Sequence, residues 1–181
     1  VHELPGLTAP DVTTRVVTVS LKPLVVEVEN FLSTEEAEHI ISRAEPHMAK
    51  SGVALKDADR GKAAKEFRTS SQYFLPTTRD AILERVDKRV MHLTKIPISH
   101  AEYIQVLKYH HMEHYSAHHD FFDPGDYSAG SRHAAKERGL ARTRLATVFF
   151  YLHDVADGGE TAFPRAGGGE QPHDFRNCHQ P

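Results

Sequence analysis

The chain has 181 residues, 39% hydrophobic and 26% charged, enough apolar content to bury a core in one globular domain and too much for a disordered chain. Its formal net charge of −3 offers no basic excess to neutralise phosphates, which argues against a nucleic-acid partner. One cysteine, Cys178, excludes a disulfide within the chain, and no run of about 18 apolar residues is present to span a membrane.

The chain opens on Val1 without an apolar leader, so any targeting segment is expected to be absent or removed. Residues 1–14, with Pro5, Gly6 and Pro10, read as an irregular lead-in. Valine-rich runs at Val16–Val19 and Leu24–Val28, broken at Pro23, predict two early strands. Ser33 and Glu36 have capping-box spacing, and Ala37, Ile40, Ile41 and Ala44 follow at helical period, so a helix runs from there to about Pro46. Residues 50–66 are charged and aperiodic, a solvated loop. The stretch from Arg68 to Leu75 returns to strand composition.

A second helix is predicted from about Arg79 to Thr94, with Ile82, Leu83, Val86, Val90 and Leu93 as its buried stripe. Alternation from Tyr103 to Tyr109 suits a strand. Asp123 to Asp126 reads as a turn and residues 126–141 as a mobile, charged loop. The run from Arg144 to Leu152 is the strongest strand candidate, and Thr161–Phe163 a short one after the turn at Asp157-Gly158-Gly159. Together these elements predict an α+β domain over residues 1–181 with a β-sandwich or jelly-roll core.

Fourteen histidines are the compositional oddity, and histidine is the commonest metal ligand. Residues 110–120 concentrate them, and two metal readings compete there. On a helix, His110, His114 and His118 would share one face in a zinc-like arrangement. On a strand, His118 and Asp120 lie two apart and point to one side, supplying two corners of a 2-His-1-carboxylate triad that leaves positions open on iron. The strand reading is preferred, because the segment lies between β-rich stretches and carries no apolar helical stripe. A bare His-x-Asp nevertheless occurs by chance in many proteins.

Its surroundings are more specific. Gln105-Val106-Leu107-Lys108-Tyr109, Tyr115-Ser116-Ala117-His118-His119-Asp120, Arg144 to Leu152 and Gly158-Gly159-Glu160-Thr161-Ala162-Phe163-Pro164 resemble, in order and spacing, the prolyl 4-hydroxylase family of iron(II)/2-oxoglutarate dioxygenases. Asn30 to Ser33 and Arg68 to Ser70 fit the same family, so the resemblance covers roughly residues 24–164. It implies a double-stranded β-helix (jelly-roll) core with N-terminal helices packed on it. His118 and Asp120 match two iron ligands, Tyr109 and Thr161 match residues lining the 2-oxoglutarate pocket, and Tyr115, Arg144, Arg68 and Ser70 match positions near the peptide substrate. From the residues alone, either arginine would be a surface charge. The implied activity is 4-hydroxylation of peptidyl proline coupled to oxidative decarboxylation of 2-oxoglutarate to succinate, with iron(II), dioxygen and L-ascorbate. The implied partner is a proline-containing peptide or protein, and relatives are often luminal in the secretory pathway, with the cytoplasm as the alternative.

One departure stands out. The family uses a second histidine on a later strand and then a lysine for the distal carboxylate of 2-oxoglutarate. Here only His173 and His179 follow Pro164, and no lysine follows Lys136. Neither role is assigned. A C-terminally truncated chain that has lost several core strands is the favoured expectation, recruitment of His179 the other, and a truncated chain should bind ferrous iron weakly and turn over poorly. A peptide-binding relative that holds no iron, an oxygenase acting on another substrate, and the helical zinc module remain as alternatives. Iron titration with and without 2-oxoglutarate separates the first of these, and a strand-dominated dichroism spectrum argues against the last.

Overall fold

The computed structural model describes residues 2–4, 14–126, 136–137, 140–141, 143–164 and 166. These fall into two compact units. One draws on residues 2–4, 14–49, 72–107, 151–164 and 166, the other on 50–71, 108–126, 136–137, 140–141 and 143–150.

The first unit begins with a sheet of β1 (His2–Leu4), β2 (Thr14–Leu21) and β3 (Leu24–Val28), antiparallel and in that order. The two valine-rich runs are therefore strands, joined through Lys22 and Pro23. The lead-in differs from its irregular expectation, because His2–Leu4 pairs with Thr14–Val16. β-branched residues suit this pleated surface, yet Val19 and Leu24 stay exposed.

Helix α1 (Thr34–Ala44) starts where the sequence says it should. The Ser33 hydroxyl accepts from the Glu36 amide and the Glu36 carboxylate accepts from the Ser33 amide, satisfying two helix-start donors. Helix α2 is Ala81–Thr94, two residues shorter at its start than predicted. Arg79 has φ +67°, outside the helical region, and Asp80 is the cap. Its Oδ1 accepts from the amides of Ile82 and Leu83, while its Oδ2 meets His39 Nε2 of α1 at 2.8 Å.

A second sheet runs in the order β4 (Ala49–Lys50), β5 (Ser71–Leu75), β6 (Ile104–Lys108). Ile40 and Ala44 of α1, Leu83 of α2, Leu75 of β5 and Val106 of β6 form one buried cluster. Leu32, Met48, Tyr73, Ile104 and Leu152 pack against it. Fully burying a leucine, isoleucine or valine side chain contributes about 1.5–3 kcal/mol, so this cluster holds the helices to the sheet. Beside it, Arg89 of α2 pairs with the buried Glu36 of α1 and lies over the Phe31 ring.

Several strand expectations fail. Residues 143–152 and 161–163 form no ladder among the described residues. A strand exists only through a hydrogen-bonded neighbour, and β-rich composition records willingness to pair without supplying one. Leu145 accordingly stands 87% exposed. The expected charged loop instead contains a short antiparallel pair, β7 (Lys136–Glu137) with β8 (Leu140–Ala141); residues 127–135 and 138–139 lie outside the described ones. What the described residues establish is a mixed α/β fold with two main helices and small sheets.

Candidate metal centre

The histidine-rich segment is not helical. His110 and Glu113 close a turn, with the Glu113 amide donating to the His110 carbonyl at 3.0 Å and the Glu113 carboxylate accepting from the His110 amide at 2.7 Å. Met112 sits at φ +65° inside it. A left-handed residue breaks the helical path, so His110, His114 and His118 share no helix face, and the zinc-module reading falls.

The strand reading is half right. Tyr115 makes an isolated antiparallel bridge with Arg68. Around it the Ser116 amide donates to the Phe67 carbonyl at 2.8 Å and the Thr69 amide to the His114 carbonyl at 3.1 Å. Pairing stops there, and residues 116–120 continue as irregular backbone.

His118 and Asp120 nevertheless face each other, with Nε2 and Oδ1 3.3 Å apart. His118 Nδ1 lies 2.8 Å from the Ser116 carbonyl oxygen, which can only accept, so Nδ1 carries a hydrogen and donates it. In the neutral ring that leaves the Nε2 lone pair aimed at a carboxylate oxygen. Two acceptors at this distance repel unless a proton or a cation lies between them. With ligand bonds of ~2.1 Å, both can reach one ion. The nitrogen-plus-carboxylate set suits iron(II). Among the described residues no third His, Cys, Asp or Glu joins them; His173 and His179 lie outside the described residues.

Asp120 is held as a carboxylate. A proton lying between His118 and Asp120 makes the hydrogen bond that is the largest influence, burial opposes it, and the Thr147 hydroxyl and the charges of His118 and Arg144 add to the lowering, bringing its pKa down to about 2. Its Oδ2 accepts from Thr147 Oγ1.

The flanking aromatic stack is continuous. The Tyr115 and His118 rings stack with centroids 3.8 Å apart, and the Arg68 guanidinium lies 4.4 Å from the Tyr115 ring centroid. Burial raises the Tyr115 pKa, helped by the Asp120 charge and Tyr109 and opposed by Arg68 and Arg144, so the phenol stays a neutral donor. Arg68 is 5% exposed, not the surface charge its residue type suggests. Its Nε donates to Ser70 Oγ at 3.1 Å, and Ser70 Oγ lies 2.9 Å from Ser51 Oγ. Arg144 lies over the Phe122 ring at 4.8 Å and reaches the Asp120 carbonyl at 3.5 Å.

Six of the sequence-nominated residues, Arg68, Ser70, Tyr115, His118, Asp120 and Arg144, are thus linked within the second unit, and Tyr109 belongs to the same unit. Thr161 belongs to the first unit, its hydroxyl 3.0 Å from Tyr151 Oη. It follows Gly158 and Gly159 at φ +78° and +81°, a turn that favours glycine. Ser51 and Thr147 were missed. No local spacing ties Thr147 to a carboxylate 27 residues earlier, or Ser51 to a serine 19 residues later.

The His-x-Asp pair, flanked by a tyrosine and an arginine, supplies one nitrogen and one carboxylate oxygen that converge. No family model matches the chain, but individual proteins do. It is 41% identical over 149 residues to the protein named probable prolyl 4-hydroxylase 3 of Arabidopsis thaliana, covering 82% of this chain and 48% of that one. It is 40% identical over 151 residues to Arabidopsis prolyl 4-hydroxylase 5, covering 83% and 48%. Over these residues the chain belongs to the prolyl 4-hydroxylase family. It spans about half the length of the curated relatives it matches.

Proposed function

We propose that this chain carries part of the active site of a peptidyl-proline 4-hydroxylase that consumes 2-oxoglutarate and dioxygen and releases succinate. The carrying observation is the convergence of His118 Nε2 and Asp120 Oδ1, 3.3 Å apart, with His118 Nδ1 engaged from behind by the Ser116 carbonyl oxygen. They would hold iron(II), which when bound supplies the oxidising chemistry for C–H hydroxylation. L-ascorbate belongs to the same reading. The names of the relatives support proline hydroxylation as the reaction.

The chain's own residues bind and orient. Tyr109 and Thr161 are assigned to the 2-oxoglutarate carboxylates, as neutral hydroxyl donors. Tyr115 and Arg144, with Arg68 and Ser70 behind them, are assigned to the proline-containing substrate. Tyr115 offers its phenol hydroxyl and Arg144 its guanidinium as donors to peptide carbonyls. The whole is assigned to one domain with a double-stranded β-helix core, which the small sheets support in part. The compartment proposed with it is the endoplasmic reticulum or secretory pathway.

Anaerobic titration of iron(II), with and without 2-oxoglutarate, tests the reading. Wild-type chain should bind iron more tightly with 2-oxoglutarate present, and His118→Ala and Asp120→Ala should each weaken binding at least 10-fold. Equal binding by wild type and both variants would sink the assignment. Iron binding without succinate formation, assayed on the full-length protein with a proline-rich peptide, would reassign it as a peptide-binding relative.

A further inference from the structure

Resting on the two-ligand reading of His118 and Asp120, we propose that Thr147 is a positioning residue that fixes Asp120 as a one-oxygen metal ligand. A carboxylate presents two equivalent oxygens and turns readily about its last bond. If both oxygens bound the ion, one of the positions needed for co-substrate and dioxygen would be taken. Here the oxygens are made different. Oδ1 faces His118 Nε2, and Oδ2 accepts the Thr147 hydroxyl in a charge-assisted hydrogen bond. The β-branched threonine holds its hydroxyl in few rotamers, so the plane of the carboxylate is pinned from the side away from His118.

Two neighbouring attachments keep Thr147 in range. The Phe122 amide donates to Thr143 Oγ1 at 2.8 Å, and Arg144 reaches the Asp120 carbonyl and the Phe122 ring. Side chains at 143, 144 and 147 therefore tie residues 120–122 at three points, where the described residues form no strand ladder to align them. This is support of the ligand by a neighbouring shell, of the kind that sets both orientation and metal affinity.

The test uses cobalt(II) as a spectroscopic stand-in for iron(II), bound to the intact chain without any turnover assay. Thr147→Val keeps the shape and removes the hydroxyl, whereas Thr147→Ser keeps the hydroxyl and removes the methyl. The Val variant should bind cobalt about 10–100-fold more weakly than wild type, with a changed visible spectrum as the carboxylate reorients. The Ser variant should match wild type in both. Far-UV dichroism and the urea midpoint report folding for each chain, and the Ser-versus-Val difference is read only between folded variants; if Val does not fold, Thr147→Ala replaces it as the hydroxyl-free chain. A hydroxyl-free variant with wild-type affinity and spectrum overturns the proposal, as does a Ser variant as impaired as that chain. Wild-type chain that binds no cobalt, or binds it equally after His118→Ala, overturns the two-ligand reading and the proposal with it.

Discussion

The two units of this chain are held by different physics. In the first, Ile40, Ala44, Leu75, Leu83 and Val106 exclude water together, and two capped helices deliver them. In the second, Phe67 is the single buried apolar residue among the described ones, while Ser51, Ser70 and Arg68 are buried and polar. Apolar burial is non-directional and tolerant of small shifts. A buried polar chain is directional, and each member depends on the next. The contrast suits a scaffold in one unit and a binding site in the other.

Substitutions should separate the two regimes. Leu83→Ala is expected to cost the most, about 2–5 kcal/mol, read as a lower urea midpoint at unchanged slope. A cost below that of the polar changes that follow would contradict the contrast. Arg89→Met comes next at about 2–3 kcal/mol, because it strips the buried Glu36 of its guanidinium. The loss falls at the low end for such pairs, since the buried Arg89 Nε has no hydrogen-bond partner among the described residues and removing it relieves that cost. Ser70→Ala should cost about 1–2 kcal/mol by leaving the Ser51 hydroxyl and Arg68 Nε without their shared partner. Its sharper signature is local, faster amide exchange at Ser51, whose N–H donates to the Ser70 carbonyl at 2.9 Å. Unchanged exchange there would show that the serine pair carries little.

Acidification should give the smallest effect, drawing on Glu36 and Asp80 in the first unit and on Asp120 in the second. Burial alone would raise the pKa of Glu36, but hydrogen bonds from Arg89 and the Ser33 amide, with the charges of Arg89 and Arg85, bring it below the usual value. Asp80 is lowered likewise, burial being outweighed by His39 and the Leu83 and Ile82 amides. All three groups bind protons more readily unfolded. Their contribution is therefore fully present above the ordinary carboxylate range and is lost as pH falls through the lower folded values. Urea midpoints from pH 6 to pH 3 should decline, and Asp80→Asn should flatten the decline. An equal slope in wild type and variant would exclude Asp80 as a source.

What the sequence revealed follows the same division. Ser33 and Glu36 announced α1 because capping is a local contract over three residues. The start of α2 was misplaced by two residues because Arg79 and Asp80 are both polar, and only geometry distinguishes the residue whose carboxylate turns back onto the Ile82 and Leu83 amides. The His118–Asp120 pair was readable from its neighbours, whereas its strand was not, since pairing from residue 116 onward requires a partner that residue type does not name. The burial of Arg68 was illegible from residue type for the same reason. Its burial depends on Tyr115 and Ser70, and a cation stacked on a ring across 47 positions leaves no trace in local spacing.

The three side-chain ties from residues 143, 144 and 147 to residues 120–122 also bear on which changes of length the chain can accept. A loop such as residues 50–66, closed by its own short turns, can gain a residue with little consequence, since closure entropy grows slowly with length. One residue inserted between Arg144 and Thr147 would instead displace the threonine hydroxyl by up to about 3.6 Å from the carboxylate oxygen it serves. Thr143 and Arg144 would stay on their partners while the Asp120 carboxylate lost its own. The interval between these residues is therefore as much a part of the site as their identities.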